Sequence, residues 1–514
     1  MEQKDHHIAA AAISQIKDLP NEILAHIFLI GTEQYSHETY FPIIVSEVCS
    51  HWRHLAHITP FLWQTIIPPL HKLSTGADSV CWTEKWLTRS QTLPISVVID
   101  DRSCIPQVPG TDQRSRDVIS GVFLATARHV ARVYRLDIWS EHLSLDDLRQ
   151  MILPDLPNIN FKQISLCFPY IANTHVHTGL HDIRLDWLSE VVSLKKVRYR
   201  GVRPPLVPNL TSLAIHSFQA SYSNIETLFN SSPNIRSLVL HKLHPLITAI
   251  SPFTREICVA SLEAVAVSLA PLLPSETVTG GVYMFSLLTM PNLTYLEVDG
   301  EVPISSVFRS SLSSSNIKTL RLSRRPSASA WSTQSVVMAD LKLLHSFTGL
   351  RNIELIQCAP EGLLSNTADA QRTLTRKASI NFRPSSTNNH GLGEISHIAQ
   401  QGLHWSNATC IKVDTLSAED IMHLCRFVQL RKNIRAVYLP KAARRHLSQS
   451  LLRNGNIIFQ KPTFLNRKTL YGEDSDGGTS DVYDWLNRLV DIRLLGTPSF
   501  GMLDGEKYPL QELR

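Results

Sequence analysis

The chain has 514 residues, of which 43% are hydrophobic and 18% are charged, a composition typical of folded proteins rather than of disordered ones. Its 50 basic and 45 acidic residues leave a formal net charge of only +5. Nucleic-acid binders concentrate their basic excess on one face, whereas the basic clusters here are short and scattered, so we expect no nucleic-acid partner.

The sequence also shows no sign of a membrane segment or an export signal. Its most apolar run, 264–274, is too short and too interrupted by proline to span a bilayer. Residues 1–17, predicted to be flexible, lack the basic and apolar regions of a secretory signal. The eight cysteines are widely spaced and predicted to be buried thiols. We therefore expect a cytoplasmic and/or nuclear protein with no membrane partner.

The first predicted helix begins at Pro20. Proline favours an extended conformation in the residue before it and fits the first helical turn itself, so Leu19 should project beside the helix start. Four apolar residues then form one stripe, and Gly31 is predicted to end the helix in a left-handed conformation. The stripe consists of Ile23, Leu24, Ile27 and Phe28.

Two more helices are predicted before residue 66. The second should run over 42–58, and the third should open at Thr59, with a side-chain cap followed by Pro60. The apolar face of the second comprises Ile44, Val48, Trp52 and Leu55. A segment of this size cannot bury so much apolar surface alone, which indicates that part of it contacts another surface.

Two segments carry a family resemblance, LPNEILAHIF from Leu19 and VCSHWRHLAHITPFLW from Val48. Together they resemble the F-box, the helical module by which substrate receptors bind the Skp-family adaptor of cullin-RING ubiquitin ligases. Residues 86–100 resemble the passage into the repeats of F-box proteins numerous in fungi, while the connection 32–42 departs from the family pattern.

The resemblance implies that residues 18–66 bind a Skp-family adaptor and, through it, a cullin. Nine residues would share the work between the core of the helices and the adaptor interface, and the sequence does not separate these two roles. They are Leu19, Pro20, Ile23, Leu24, Ile27, Phe28, Val48, Trp52 and Leu55.

An internal repeat begins at residue 133. Each unit has an apolar residue, two variable residues, a second apolar residue, one variable residue and a third apolar residue. The starts lie 16 to 33 residues apart up to Leu350 and then 84 residues apart, which leaves room for degraded units at 377–382 and 408–413. The pattern starts at Val133, Phe161, Leu194, Leu210, Ile235, Leu262, Leu293, Ile317, Leu350 and Ile434. Each unit predicts a short strand preceded by a helical or irregular return segment.

The predicted fold is α/β, with a three-helix F-box followed by an irregular leucine-rich-repeat-like solenoid whose parallel sheet lies on the concave face. A doubly wound α/β domain is the alternative, but its strands would be fully buried apolar runs, whereas these alternate with polar residues. We expect the F-box at 18–66, a connector with a first repeat-like unit at 67–100, and the solenoid at 101–460. An acidic flexible segment and a C-terminal cap with a last helix should occupy 461–514.

The sequence nominates no catalytic, cofactor-binding or metal site. His175, His177 and His181 could ligate a metal together with Asp182, but this histidine-rich stretch fits a solvated loop between repeats better. No phosphate-binding loop and no nucleophile with an adjacent base appear. We therefore expect a non-catalytic protein.

Outward strand positions of the solenoid should bind a target protein of complementary charge, although ordinary solvated strand faces explain them equally well. The candidate residues are Lys196, Arg198, Arg200, Tyr295, Glu297 and Arg321. The expected function is that of the substrate-recognition subunit of a Skp/cullin/F-box ubiquitin ligase. The alternative is a repeat-based protein-binding scaffold not connected to ubiquitination. The identity of the target and the features that mark it for binding stay open.

Overall fold

The structure is a computed structural model in which about half of the chain is described. The described residues are 19–34, 41–70, 75–101, 112–140, 160–167, 188, 190–200, 206–216, 222–243, 256–269, 283–300, 304–308, 312, 316–323, 343, 344, 346–356, 407–413, 424, 428, 433–440, 450–453, 456–459, 480, 481 and 490–495. They fall into two compact units. The first contains the residues up to His216 together with Ser231–Asn234, and the second contains Ser217–Asn230 and the residues from Ile235 to Gly505.

Most described helices precede the main run of strands. They are α1 (Asn21–Gln34), α2 (Phe41–Val48), α3 (Ser50–Ile58), α4 (Gly76–Arg89), α5 (Asp112–Ala127), α6 (Tyr222–Ser231) and α7 (Ile304–Phe308). Three short 3-10 helices cover Pro60–Trp63, Val130–Arg132 and Met284–Leu287.

The strands of the first unit are β1 (Thr65–Ile66), β2 (Ile95–Asp100), β3 (Val133–Trp139), β4 (Gln163–Cys167), β5 (Lys196–Arg200) and β6 (Ser212–His216). They pair in parallel and in chain order, from β1 to β6. Helices α4 and α5 lie so close together that side chains at two glycines would collide. A Cβ on Gly76 would lie 2.7 Å from the carbonyl oxygen of Asp117, and one on Gly121 would meet the Gly76 carbonyl. The two glycines therefore set the distance between these helices.

The main sheet of the second unit is also parallel and follows chain order. Its strands are β7 (Ser237–Leu243), β9 (Ala264–Leu269), β11 (Tyr295–Asp299), β12 (Thr319–Ser323), β13 (Asn352–Ile356), β14 (Cys410–Val413), β15 (Ala436–Pro440) and β19 (Asp491–Leu495). The other described strands form two small sheets, one of β8 (Ile257–Cys258) with β10 (Leu288–Thr289), and one of β16 (Ser450–Arg453) with β17 (Asn456–Phe459) and β18 (Ser480–Asp481).

The repeat pattern predicts these strands well. All ten pattern starts lead into described parallel strands, and the degraded unit at 408–413 becomes β14. The second and third apolar residues of each unit stack on one buried face, as Leu296 does beside Leu320 and Leu320 beside Ile353. The degraded unit at 377–382 lies outside the described residues.

Each repeat joins the next through the same backbone hydrogen bonds. Before β11, the N–H groups of Thr294 and Tyr295 both donate to the carbonyl oxygen of Glu263, at 2.8 and 3.1 Å. The same two-to-one pairing precedes β5, β6, β9, β12, β13, β14 and β15. The geometry of each repeat therefore copies that of its neighbour, whatever the length of the return segment.

Asparagine side chains reinforce this pattern at the turn before a strand. The Nδ2 group of Asn209 donates to Val192 O at 3.1 Å, and that of Asn292 donates to Ala260 O at 2.7 Å. Asn234 and Asn407 make equivalent bonds to Pro208 O and Thr348 O. Each of these asparagines therefore ties its turn to the preceding repeat.

The mixed α/β class with a long parallel sheet agrees with the prediction. Within each unit the strand order follows the chain without reversal, whereas a doubly wound domain reverses its strand order at a switch point. This order is compatible with stacked repeats.

Several local predictions are wrong. The helix expected over 42–58 is two helices, and α1 continues past Gly31, where a Cβ would collide with the Phe41 ring. Ile492, expected in a last helix, lies in β19 because it pairs with β15. Thr59 makes no side-chain cap; its hydroxyl donates to Leu55 O instead. Of the predicted buried thiols, Cys81 and Cys258 are exposed.

Candidate docking surface

Helix α1 has one buried and one exposed apolar row. Leu24 and Phe28 are each 1% exposed, and the Phe28 ring meets Trp52 edge-on at 4.9 Å between centroids. On the other side, Ile23 and Ile27 are 48% and 45% exposed. The single stripe predicted from the sequence therefore divides into a core row and a surface row.

The surface row extends along α1 and is matched by one on α2. Ile30 continues it one helical turn beyond Ile27 and is also exposed. On α2, Ile44 and Val48 are 51% and 57% exposed, while Val45 between them is buried. We define the docking surface as these five exposed residues, Ile23, Ile27, Ile30, Ile44 and Val48. These residues lie on two helices that pack against each other, and a cluster of exposed apolar side chains typically marks an interaction site.

Cys49 separates α2 from α3. Its backbone is extended, with φ of −159° and ψ of 170°, and its Sγ accepts a hydrogen bond from the Trp52 N–H at 3.4 Å. A thiol is a weak acceptor, which is why the sequence did not announce a helix start here. Because the helix breaks after Val48, the apolar residues predicted for one face of a single helix do not share a face. Val48 is exposed, whereas Leu55 on α3 is buried.

A second exposed pair follows at the end of α3. Ile58 and Phe61 are both more than half exposed, while Leu62 and Trp63 in the same short segment are buried. Neither Ile58 nor Phe61 was among the predicted interface residues. The signal for them is their position on the solvent side of the Thr59 turn, which the sequence alone does not reveal.

Trp63 fixes these helices to the first unit. Its Nε1 donates to Ala56 O at 2.9 Å, and its ring meets that of Trp86 on α4 at 4.8 Å between centroids. The Arg89 guanidinium lies 4.3 Å from the Trp63 ring centroid. Burial lowers the pKa of Arg89 from its ordinary value. The helices and α4 therefore form one core around this tryptophan.

Polar groups surround the exposed apolar rows. Glu22, His26 and Glu47 are exposed on α1 and α2. Burial, then the charges of Arg89, Arg53 and His54, lower the pKa of His57, which keeps its imidazole neutral at pH 7.

The structure thus divides the nine predicted interface residues by position. Three lie in the core, Leu24, Phe28 and Leu55. Four are exposed, Pro20, Ile23, Ile27 and Val48. Leu19 and Trp52 are half-buried. Only the exposed and half-buried residues can contact a partner without the helices rearranging.

The predicted target-binding residues are placed differently from what the sequence suggested. Glu297 and Arg321 are each 1% exposed, and Arg198 is also buried. Lys196 and Tyr295 are half-buried, and the side chain of Arg200 lies outside the described residues. The expectation of a solvated face is therefore wrong for three of these six residues. Alternation along a strand predicts on which side of the sheet a side chain lies, but not whether other residues cover that side.

Buried charges on this face pair with one another. Arg321 Nε lies 3.2 Å from Glu297 Oε1, and Arg321 Nη1 lies 2.7 Å from Glu354 Oε2. The Tyr295 hydroxyl donates to Glu297 Oε2 at 2.9 Å. Burial and the adjacent Glu297 carboxylate raise the pKa of Tyr295, which keeps its hydroxyl protonated as a donor. These four residues form one network of contacts across β11, β12 and β13.

The described residues contain no group of three or more His, Cys, Asp or Glu side chains that could hold a metal ion. The histidine-rich stretch with His175, His177 and His181 lies outside them. No helix in the described ranges is both long and apolar enough to cross a membrane.

Comparison with known proteins gives no assignment. No protein-family model matches this chain, and no curated protein matches it either. Inference about function therefore depends on the sequence pattern and on the geometry described above.

Proposed function

We propose that this chain is a non-catalytic substrate receptor of a Skp/cullin/F-box-type ubiquitin ligase, acting in the cytoplasm and/or nucleus. Its N-terminal helices bind a Skp-family adaptor and, through it, a cullin. The repeats form an irregular leucine-rich-repeat-like solenoid with the parallel sheet on its concave face, and they bind the target protein. Holding the target beside the ubiquitin donor raises its effective concentration, which is how a receptor without catalytic residues accelerates transfer.

One observation carries the proposal: the docking surface leaves five aliphatic side chains in water beside a complete core. Leu24 and Phe28 already fill the interior, so the exposed Ile23 and Ile27 are not needed to hold the helices together. Covering the side chains of this surface would contribute roughly 25 cal/mol for each Å² of apolar area removed from water. A partner with an apolar groove supplies that cover.

The recurring repeat bonds support the second half of the proposal. Two amides donate to one carbonyl before eight of the described strands, and asparagine bonds tie four of the turns to the preceding repeat. Leucine-rich-repeat solenoids are built from units that contact only their neighbours, and such arrays present long surfaces to proteins.

The test is binding of the purified chain to a purified Skp-family adaptor by calorimetry. The variant Ile23→Ser/Ile27→Ser removes exposed side chains only, so we expect a folded protein whose adaptor binding is weaker by about tenfold or more, some 1.4 kcal/mol. The matched control, Leu124→Ser/Val192→Ser, removes two apolar side chains that are even more exposed, elsewhere in the first unit, and should bind like the native chain.

A scaffold unconnected to ubiquitination is the second candidate, and the packing of Trp63 against Trp86 favours it, since the helices could simply cap the sheet. It predicts that the native chain does not bind the adaptor. Equal weakening by both double variants would also contradict a receptor that uses the docking surface.

A further inference from the structure

Three basic residues occupy equivalent positions at the amino ends of strands in the second unit. Lys318, Arg351 and Arg435 each immediately precede a strand, β12, β13 and β15 respectively, and Thr409 holds the same position before β14. Backbone N–H groups join them in sequence, Arg351 to Lys318 O, Thr409 to Arg351 O and Arg435 to Thr409 O, each at 2.8 Å. We call Lys318, Arg351 and Arg435 the basic row.

The backbone fixes the spacing of the basic row. Adjacent strands lie about 4.8 Å apart, which places Arg351 one strand from Lys318 and Arg435 about 10 Å further along the same edge. All three side chains are exposed. The row therefore presents three positive charges along roughly 15 Å of one sheet edge.

No acidic side chain neutralises this row within the described residues. Lys318, Arg351 and Arg435 make no ion pair there. The nearest acidic residue at an equivalent position on one side is Glu263, which faces Arg236 at 3.7 Å between Oε1 and Nη1. On the other side, Asp491 begins β19 in register with Ala436, beyond the end of the row. The row is thus bounded by acidic residues but contains none.

Lys412 on β14 lies beside the charge network of β11 to β13 and not in the basic row. Lys412 is half-buried in β14, in register with Glu354. The Glu354 carboxylate is bound to Arg321 at 2.7 Å, and Lys412 has no ion pair among the described residues. The three positive charges of the basic row, held along roughly 15 Å, repel one another, and an anion bound beside them removes that repulsion.

The chemistry of the row fits a polypeptide better than a nucleic acid. An extended segment advances about 3.3 Å per residue, so about five residues, several of them acidic, span the three cations of the row. Nucleic-acid binding faces concentrate many more basic residues, and the whole chain has a net charge of only +5.

We propose that the basic row binds a carboxylate-rich segment of a partner protein. If the proposed receptor function is correct, that partner is the protein delivered for ubiquitination. Binding occurs at the amino ends of β12 to β15 and not over the buried charge network of Glu297 and Arg321.

The test uses the full chain and a fluorescein-labelled peptide of alternating glutamate and serine, followed by fluorescence anisotropy at about 0.1 M salt, where surface charges are only partly screened. The row variant Lys318→Gln/Arg351→Gln/Arg435→Gln should bind this peptide about tenfold more weakly than the native chain, consistent with modest gains from each exposed charge pair. The glutamine–serine version of the peptide should bind neither protein.

The matched control is Lys85→Gln/Arg116→Gln/Lys162→Gln, which removes the same charge from exposed positions of the first unit. It should weaken peptide binding by less than about twofold, far below the effect of a tenfold change. Equal losses in the two variants would overturn the proposal, because they would indicate attraction by net charge alone. Absence of peptide binding by the native chain would overturn it as well.

Two further measurements separate this inference from others. A single-stranded DNA oligonucleotide that binds more tightly than the peptide, and in a row-dependent manner, would contradict a protein partner. Adaptor binding by the row variant should match that of the native chain, since the docking surface lies in the other unit. Failure of the adaptor experiment therefore leaves the peptide result to be judged by itself.

Discussion

Tyr199 and Tyr295 both lie on parallel strands, but among the described residues only the hydroxyl of Tyr295 has a hydrogen-bond partner. Tyr199 is fully buried, aligned with Leu166 and Ile215 on the apolar face, and its hydroxyl has no hydrogen-bond partner among the described residues. Burial raises the pKa of Tyr199 well above its ordinary value. The hydroxyl of Tyr295 instead donates to Glu297 at 2.9 Å.

We predict opposite effects when each hydroxyl is removed. Tyr199→Phe should raise the free energy of unfolding by about 1 kcal/mol, because it deletes a buried polar group that has lost its water. Tyr295→Phe should lower it by about 1 to 2 kcal/mol, because it deletes a hydrogen bond to a carboxylate. Urea unfolding followed by circular dichroism measures both. A loss of stability in Tyr199→Phe would show that its hydroxyl has a partner.

Arg321 and Arg236 provide a second comparison at the level of single residues. Each pairs with a glutamate of the neighbouring repeat, but the Arg321–Glu297 pair is 1% exposed on both sides, whereas the Arg236 and Glu263 side chains are 67% and 54% exposed. Arg321→Met should lower the free energy of unfolding by about 3–5 kcal/mol, because it leaves two carboxylates without their cation. Arg236→Met should change it by less than about 1 kcal/mol.

Urea unfolding of the two methionine variants measures these two changes in the free energy of unfolding. Similar midpoints for both would mean that water reaches the Glu297 carboxylate freely, contrary to its burial. The comparison also tests the correction made above, because a residue that stabilises the sheet this strongly is not free to recruit a target.

At the scale of elements, the contact between α4 and α5 depends on Gly121. Alanine is the better helix former, yet a Cβ at this position would meet the carbonyl oxygen of Gly76 and the hydroxyl of Ser79. The backbone oxygen cannot move aside without separating the helices. The glycine is therefore retained for close approach rather than for a special backbone conformation.

We predict that Gly121→Ala lowers the free energy of unfolding by about 1–3 kcal/mol through overpacking. The neighbouring Ser120→Ala, exposed on the same helix, should be neutral or slightly stabilising, because alanine has the higher helix propensity. Thermal melting of the two variants measures their stability relative to the native chain. A gain of stability in Gly121→Ala would mean that α4 and α5 pack less tightly than described.

Helix boundaries were harder to predict than strand positions. The strands were found because apolar residues at alternating positions must be buried, which leaves a repeating mark in the sequence. The break at Cys49 has only a thiol as a weak cap, and Gly31, inside α1, lies directly against the ring of Phe41. Neither signal can be read without knowing which residues meet in space.

At the scale of the whole molecule, the sequence predicted the class of fold and the residues of the candidate docking helices. It did not predict which of these residues are exposed, because one apolar stripe can serve a core, an interface or both. Ile30 and Ile44 were missed as surface residues for the same reason. The exposure of strand residues was predicted least well, since the burial of Glu297 and Arg321 depends on neighbours distant in the chain.

The monotonic strand order has a consequence for how the chain folds and changes over evolution. Inside each unit, a repeat touches the one before and the one after, so cooperativity propagates along one dimension and a local lesion is felt mainly by adjacent repeats. The intervals between repeats vary while the strand geometry does not. Lineages can therefore lengthen, shorten or replace the connecting segments without refashioning the sheet, and selection can act on binding loops almost independently of the scaffold that holds them.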